Sequence, residues 1–446
     1  MMNSRIGFEI MKPRYSLILF GSLLIVLSWV AGAKAADSLT IDRAVQLTLE
    51  NDPAVRQAER QADAAAADIE VSRTRYYPDF SVAGTYTRLG PLESITLPGG
   101  ESFDLFPADN YDAHLQFYQL LYDFGERRTT MRLAEAGHKS AQDNIDLVKS
   151  DFAFQTMAAF NTILILQRSI DVMNDQIAAL NQHLDITRRK AETGSATKFD
   201  VLTTQVRIAV ATDGLIEAQN GLRNQEIILR QLTGLPEDQP LALKGEFAYE
   251  SSPNIDVDSL LALARAQRPE LIRARDAEAQ AELRIQMASL GNKPSLSAIA
   301  TAGFKNGYIP DLNQPKANYT AGLSIKIPVF NGRKSHFQTV GARADLAAAK
   351  ARTAGVEQRI SSEVNQAVEA LKASLDKIHN SEIQVQQAEE AISLANTQYE
   401  AGVVTNLDLL DAQTAYAQAK LIHLRALYQY TMSRNQLDQA VGAKVW

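Results

Sequence analysis

The chain of 446 residues contains no cysteine. Disulfides, thiolate metal sites, thiol nucleophiles and a lipid-modified amino-terminal cysteine are therefore excluded. Long apolar runs are nearly missing as well. Only Tyr15 to Val30 is uncharged and largely apolar, and it falls short of the ~20 residues that a helical span needs. Proline is absent from residues 126–191 and 333–400, so nothing in those stretches interrupts a helix. Chemistry-bearing clusters are lacking too. The histidines His114, His138, His183, His336, His379 and His423 are scattered, with no His-x-x-x-His and no carboxylate at ligand spacing. No glycine loop suited to phosphate occurs. These absences exclude an enzyme and predict no metal and no cofactor.

Lys12 and Arg14 precede the apolar run, and Ala33-Lys34-Ala35 follows it. This order predicts a secretory signal over residues 1–35, cleaved after Ala35. The alternative is an uncleaved membrane anchor. Without those residues the balance is 41 basic against 51 acidic side chains, a shift from −7 to −10. An acidic exported chain is a poor partner for nucleic acid.

What the sequence does contain, it contains twice. Lys190–Gln205 is echoed by Gln398–Gln413, so that Gly194 matches Gly402, Asp200 matches Asp408, Leu202 matches Leu410 and Gln205 matches Gln413. The offset is 208 residues there and again between Gly234 and Gly442. It is 216 between Asp52-Pro53 and Arg268-Pro269, and between Tyr77-Pro78 and Lys293-Pro294. A period this long marks a duplicated half-molecule rather than a solenoid. The predicted organisation is a first repeat over 36–235, a linker over 236–256 and a second repeat over 257–446.

Each repeat reads as helix, strand, loop, strand, very long helix, tight turn, helix. Leu39 to about Arg75 is rich in helix formers. Strands are predicted over 79–89, 111–121, 295–305 and 318–329, with loops at 90–110 and 306–317. In the last strand Tyr319, Ala321, Leu323, Ile325 and Ile327 share one face, and Thr320, Gly322, Ser324 and Lys326 share the other. Strands of this length and alternation suit a water-filled barrel in a membrane. A half-buried soluble sheet alternates in the same way.

Helical hairpins are predicted over 126–232 and 333–441, each long arm on the order of 100 Å. Leu371, Ile378, Val385, Ile392 and Tyr399 recur every seven residues, a coiled-coil seam joined by Val364, Val368 and Leu375. Glu382, Glu389 and Asn396 make that seam half polar near its end. Leu407, Leu410, Ala417, Leu421, Leu424 and Tyr428 line the return helix. Four strands cannot close a barrel, and open sheet edges are not tolerated in hydrocarbon. Membrane insertion therefore implies several copies. Two give eight strands with a filled interior, and three give twelve with an aqueous channel.

The duplicated plan and the paired Gly-x-x-Thr-x-x-Asp-x-Leu turns resemble the TolC family of outer-membrane efflux proteins. Tyr122-Asp123-Phe124-Gly125 and Phe330-Asn331-Gly332, each following a strand, strengthen the resemblance. It covers nearly the whole chain beyond residue 35. It implies a mainly α fold with a transmembrane β-barrel: a homotrimer whose twelve-stranded barrel sits in the outer membrane and continues as a periplasmic α-helical barrel. It further implies a passive duct fed by a periplasmic adaptor and an inner-membrane transporter of RND or ABC type, serving tripartite efflux or type I secretion. The turns at Gly194, Thr197, Gly402 and Thr405 become the periplasmic tip, beside which the adaptor docks.

The resemblance also assigns Asp408 and Asp411 to a cation-selective ring at the tip, and Tyr399 and Asp200 to the contacts that close it. The family's third closing residue, an arginine, is replaced here by Val404. The residues allow simpler roles. Thr197-x-x-Asp200 and Thr405-x-x-Asp408 look like capping boxes, and Tyr399 fits the heptad core. Asp411 has no such explanation, because its counterpart in the first repeat is Thr203. The competing function is a periplasmic coiled-coil scaffold or adhesin without a pore. An adaptor of the same machines is disfavoured, because adaptors carry one hairpin and this chain carries two.

Overall fold

The computed structural model describes residues 38–96, 98–100 and 102–446. The predicted signal segment lies outside them. The first half runs α1 (Ile41–Asn51), α2 (Pro53–Thr74), β1 (Asp79–Arg88), β2 (Ser94–Thr96), β3 (Ser102–Asp104), β4 (Asp109–Tyr122), α3 (Glu126–Glu192) and α4 (Lys198–Thr233). The second runs α5 (Val257–Gln267), α6 (Pro269–Leu290), β5 (Ser295–Lys305), β6 (Lys316–Lys326), α7 (Lys334–Glu400) and α8 (Asn406–Val441).

The stretch read as one helix to about Arg75 is two. Pro53 cannot continue α1, since it lacks an N–H, but it suits the first turn of α2. Asp52 caps that turn, its Oδ1 accepting from Ala54 N at 2.7 Å. The duplication extends to helix length. α1 and α5 have 11 residues each, α2 and α6 have 22, α3 and α7 have 67, and α4 and α8 have 36. The halves differ between their strands. The small β2–β3 hairpin stands in the first-half loop, and the second-half loop is shorter. The repeat offset changes from 216 to 208 across this point.

The four long strands form one antiparallel sheet in the order β1–β4–β5–β6. Its register keeps the two faces chemically distinct. Phe80 faces Phe117, Val82 faces Leu115, Leu115 faces Ala302, and Ala302 faces Tyr319. On the other side Thr85 faces Asp112, Asp112 faces Lys305, Gln116 faces Thr301, and Thr301 faces Thr320. The apolar face is bare within one chain: Val82 and Tyr319 are each 82% exposed. Among the described residues, the outer edges of β1 and β6 carry no strand partner.

Two cores hold the helices. Phe160, Ile163 and Leu164 of α3 pack with Leu229 and Leu232 of α4 and with Ala44 of α1. Val364, Val368, Leu371 and Ile378 of α7 pack with Tyr430 and Leu437 of α8 and with Leu271 of α6. The segment between the halves bridges both. Leu241, Leu243 and Phe247 pack on the first core, and Ile255 on the second. Beyond Ser381, itself buried, the seam loosens. Val385 and Ile392 are half-buried, and full burial returns only at Tyr399. Leu407, expected on the packed stripe, is exposed instead, and Leu409 and Leu410 are buried in the first turns of α8. No described helix is long and apolar enough to cross a membrane.

Candidate functional site

The far ends of the helical hairpins carry two copies of one local design. α3 stops because Gly194 takes a left-handed conformation (φ 76°), and α7 stops at Gly402 (φ 73°). Ser195 N then donates to Lys190 O at 2.7 Å, and Val403 N donates to Gln398 O at 2.8 Å, satisfying carbonyls at the helix ends. Each return helix opens with a capping box. Asp200 N donates to Thr197 Oγ1 at 3.1 Å, while Thr197 N donates to Asp200 Oδ2 at 2.8 Å. Asp408 N donates to Thr405 Oγ1 at 3.2 Å, while Thr405 N donates to Asp408 Oδ2 at 2.8 Å. Aspartate thus does the work usually given to Glu or Gln. The hydrogen bonds from Thr405, its side chain first and its backbone second, hold the Asp408 carboxyl below its usual range. Both end on Oδ2; Oδ1 has no protein partner among the described residues.

The tip also contains a buried polar junction that sequence reasoning missed. His183 of α3 donates from Nε2 to Asn406 Oδ1 at 2.6 Å, and both residues are buried. Asn406 Nδ2 donates on to Asp200 O at 3.4 Å. Tyr399 packs edge-on against His183, with ring centres 5.1 Å apart. Lys190 lies over the Tyr399 ring at 4.0 Å and donates to the Tyr399 carbonyl at 3.3 Å. One cluster therefore ties together α3, α4, α7 and α8. The structure does not bring the Tyr399 side chain to the Asp200 carboxylate. That carboxylate is occupied by Thr197, and Tyr399 is engaged by His183 and Lys190. Asp411 pairs with Arg207 of α4, Nη2 to Oδ1, at 2.8 Å. Val404 makes no polar side-chain contact, having no polar atom to offer.

Burial, above all, pushes the His183 pKa below its ordinary value, and the nearby Lys190 charge acts in the same direction. The Asn406 hydrogen bond and Asp200 oppose this. The packed tip consequently binds fewer protons at His183 than a parted tip would. Its packing is strongest above the ordinary histidine range and weakens as pH falls through that range toward the depressed value. Acidification from about pH 7.5 to about pH 5 is expected to raise the conductance of the resting channel. In His183→Gln that component should vanish. An identical pH response in this variant would assign it to other groups.

The sheet with one apolar face, the paired shafts and the capped tips describe a channel that crosses a membrane on strands and extends from it on helices. The outer membrane efflux protein family matches residues 44–235 and 260–443 of the chain. The chain belongs to this family. Among curated relatives, outer membrane protein TolC of Vibrio cholerae is 24% identical, over 88% of this chain and 88% of the relative. Alkaline protease secretion protein AprF of Pseudomonas aeruginosa is 25% identical, over 92% of this chain and 85% of the relative. The crystal structure of the Campylobacter jejuni CmeC outer membrane channel superposes with a TM-score of 0.77 at 16% identity, covering 90% of this chain and 85% of that one. A CusC structure superposes with a TM-score of 0.78 at 16% identity, covering 91% and 92%. This outer membrane efflux protein is therefore a channel of the TolC type and not an enzyme. It resides in the Gram-negative outer membrane and extends into the periplasm.

Proposed function

We propose that three copies of this chain form one exit duct, closed at the periplasmic end by the hairpin tips. The observation that carries this reading is the four-stranded sheet with an exposed apolar face and two unpaired edges. In hydrocarbon such edges must be paired, and three sheets edge to edge make a twelve-stranded barrel wide enough for water. Residues 36–235 and 257–446 act as the two repeats that build this duct, with 236–256 linking them at the equator of the helical part. Native mass spectrometry of the detergent-solubilised protein should give a complex of three chains. A monomer or dimer that still conducts would overturn the trimer.

Substrate reaches the duct through a periplasmic adaptor and an inner-membrane transporter, which selects the cargo. The adaptor docks beside the turns at Gly194, Thr197, Gly402 and Thr405. Asp411 and the free oxygen of Asp408 line the constriction, where a ring of carboxylates favours cations. Asp200 and Tyr399 act on closure by holding the hairpins in place, through the cap and through the His183 junction respectively. Asp411→Ala is expected to weaken block by a trivalent cation by roughly tenfold, equivalent to about 1.4 kcal/mol. Titration of the blocked current measures this, and unchanged block would remove Asp411 from the constriction.

A further inference from the structure

We propose that Arg207 is the counter-charge that masks Asp411 in the resting tip, so that the acidic ring gains its full strength only when the two hairpins of a protomer part. The inference rests on the reading of Asp411 as a ring residue. Arg207 lies on α4, the return helix of the first hairpin, and Asp411 on α8, the return helix of the second. Their Nη2–Oδ1 distance is 2.8 Å across 204 residues of sequence. Among the described residues this is the ion pair that joins those two return helices.

Both partners break the internal duplication. Arg207 corresponds to Ala415 in the second half, and Asp411 corresponds to Thr203 in the first. A contact between unlike halves needs one unlike residue on each, and these positions supply the two. Neither residue has a competing local role. Asp411 lies beyond the capping box, whose carboxylate is Asp408, and no other ion pair engages either side chain among the described residues. The Asp200 and Asp408 carboxylates, by contrast, are held by their own threonines in both repeats.

The location of the pair determines its character. The two side chains are 37% and 58% exposed, so water and salt screen the attraction and the restraint is readily reversed. A pair formed while the hairpins pack together neutralises the Asp411 carboxylate. When the hairpins separate, the guanidinium leaves with α4 and the carboxylate is left bare on α8. Cation preference thereby becomes coupled to opening. A chain with valine at position 404 gains from Arg207 a charge-based restraint at another place on the tip.

The test uses the full-length channel in a planar bilayer, with lanthanum(III) added on the periplasmic side. Arg207→Gln is expected to lower the half-blocking concentration by roughly two- to fivefold and to raise the preference for potassium over chloride. Asp411→Asn should weaken block, and adding Arg207→Gln to it should change nothing further. If Asp411→Asn leaves block intact, the ring reading fails and the masking inference falls with it. If Asp411→Asn weakens block but Arg207→Gln does not strengthen it, the masking inference alone is overturned. It is equally overturned if Arg207→Gln acts to the same extent in the Asp411→Asn background. Asp411 is exposed and Arg207 half-buried, and heat-modifiable migration on a gel verifies that every variant assembles.

Discussion

Gly303→Ala is expected to abolish the assembled channel. Gly303 lies in β5 opposite His114 of β4. A Cβ at this position would collide with Ala113 O and stand 2.5 Å from His114 Cα. Both are main-chain atoms, so no rotamer change relieves the clash and the two strands must separate. Overpacking typically costs about 1–3 kcal/mol through off-rotamer side chains and backbone shifts, and here the backbone must take all of the strain. The loss also falls at the worst place, since β4 and β5 join the strands of the first repeat to those of the second. Gly322→Ala is the matched control. Gly322 lies on β6 opposite Ile299, and a Cβ there meets nothing within 4 Å. Unheated gel migration should show the slow, detergent-resistant species for Gly322→Ala and not for Gly303→Ala. Normal assembly of Gly303→Ala would show that β4 and β5 can part at this pair without loss of the channel.

Arg268→Ala is expected to be the most damaging substitution in the helical part. At the matching position in the first half, Asp52 caps α2. Arg268 provides no side-chain cap to α6 and is used elsewhere. Its guanidinium forks onto Glu270 at 2.9 and 3.0 Å and donates to Glu363 of α7 at 2.7 Å. It also donates to the carbonyls of Gln439 and Ala440, at 3.2 Å each, near the carboxyl end of α8. A cation there meets the negative end of the helix dipole. One buried side chain thus fastens α6, α7 and α8 together. Truncating it leaves the buried Ala440 carbonyl and two carboxylates without their donor, while Gln439 O keeps the Gly442 N–H at 3.0 Å, a loss of about 3 kcal/mol. The glutamates are 35% and 38% exposed, and water recovers part of that. Arg268→Lys should rescue little, because an ammonium cannot reproduce the fork. Thermal melting of the helical signal measures the effect, and a midpoint equal to the parent's would show that the hub is dispensable.

The duplication, the uninterrupted long helices and the alternating strands were legible because each has a periodic or compositional signature. The capping boxes were legible for the same reason, since Thr-x-x-Asp is local. What escaped sequence reasoning is nonlocal or small. His183 reads as one of six unconnected histidines, and nothing in its neighbourhood announces Asn406, which is 223 residues away. Arg207 and Asp411 left only a faint trace, as departures from the repeat. The β2 and β3 strands, 3 residues each, were hidden inside a loop rich in glycine and proline. Asp52-Pro53 is visible in the sequence as a repeat marker, but composition alone does not show that it divides α1 from α2. Leu407 matched the three-four spacing of the return helix, but a pattern cannot tell which side of a helix end remains uncovered.

The function proposed for this chain is a continuous aqueous duct, narrowed at a capped, acidic helical tip. Single-channel recording of the purified protein in a planar bilayer, with and without lanthanum(III) on the periplasmic side, tests it most directly. Such a duct gives stable, cation-selective conductance that the added cation blocks. Well-folded, assembled protein that inserts without conducting would contradict it and favour a scaffold without a pore.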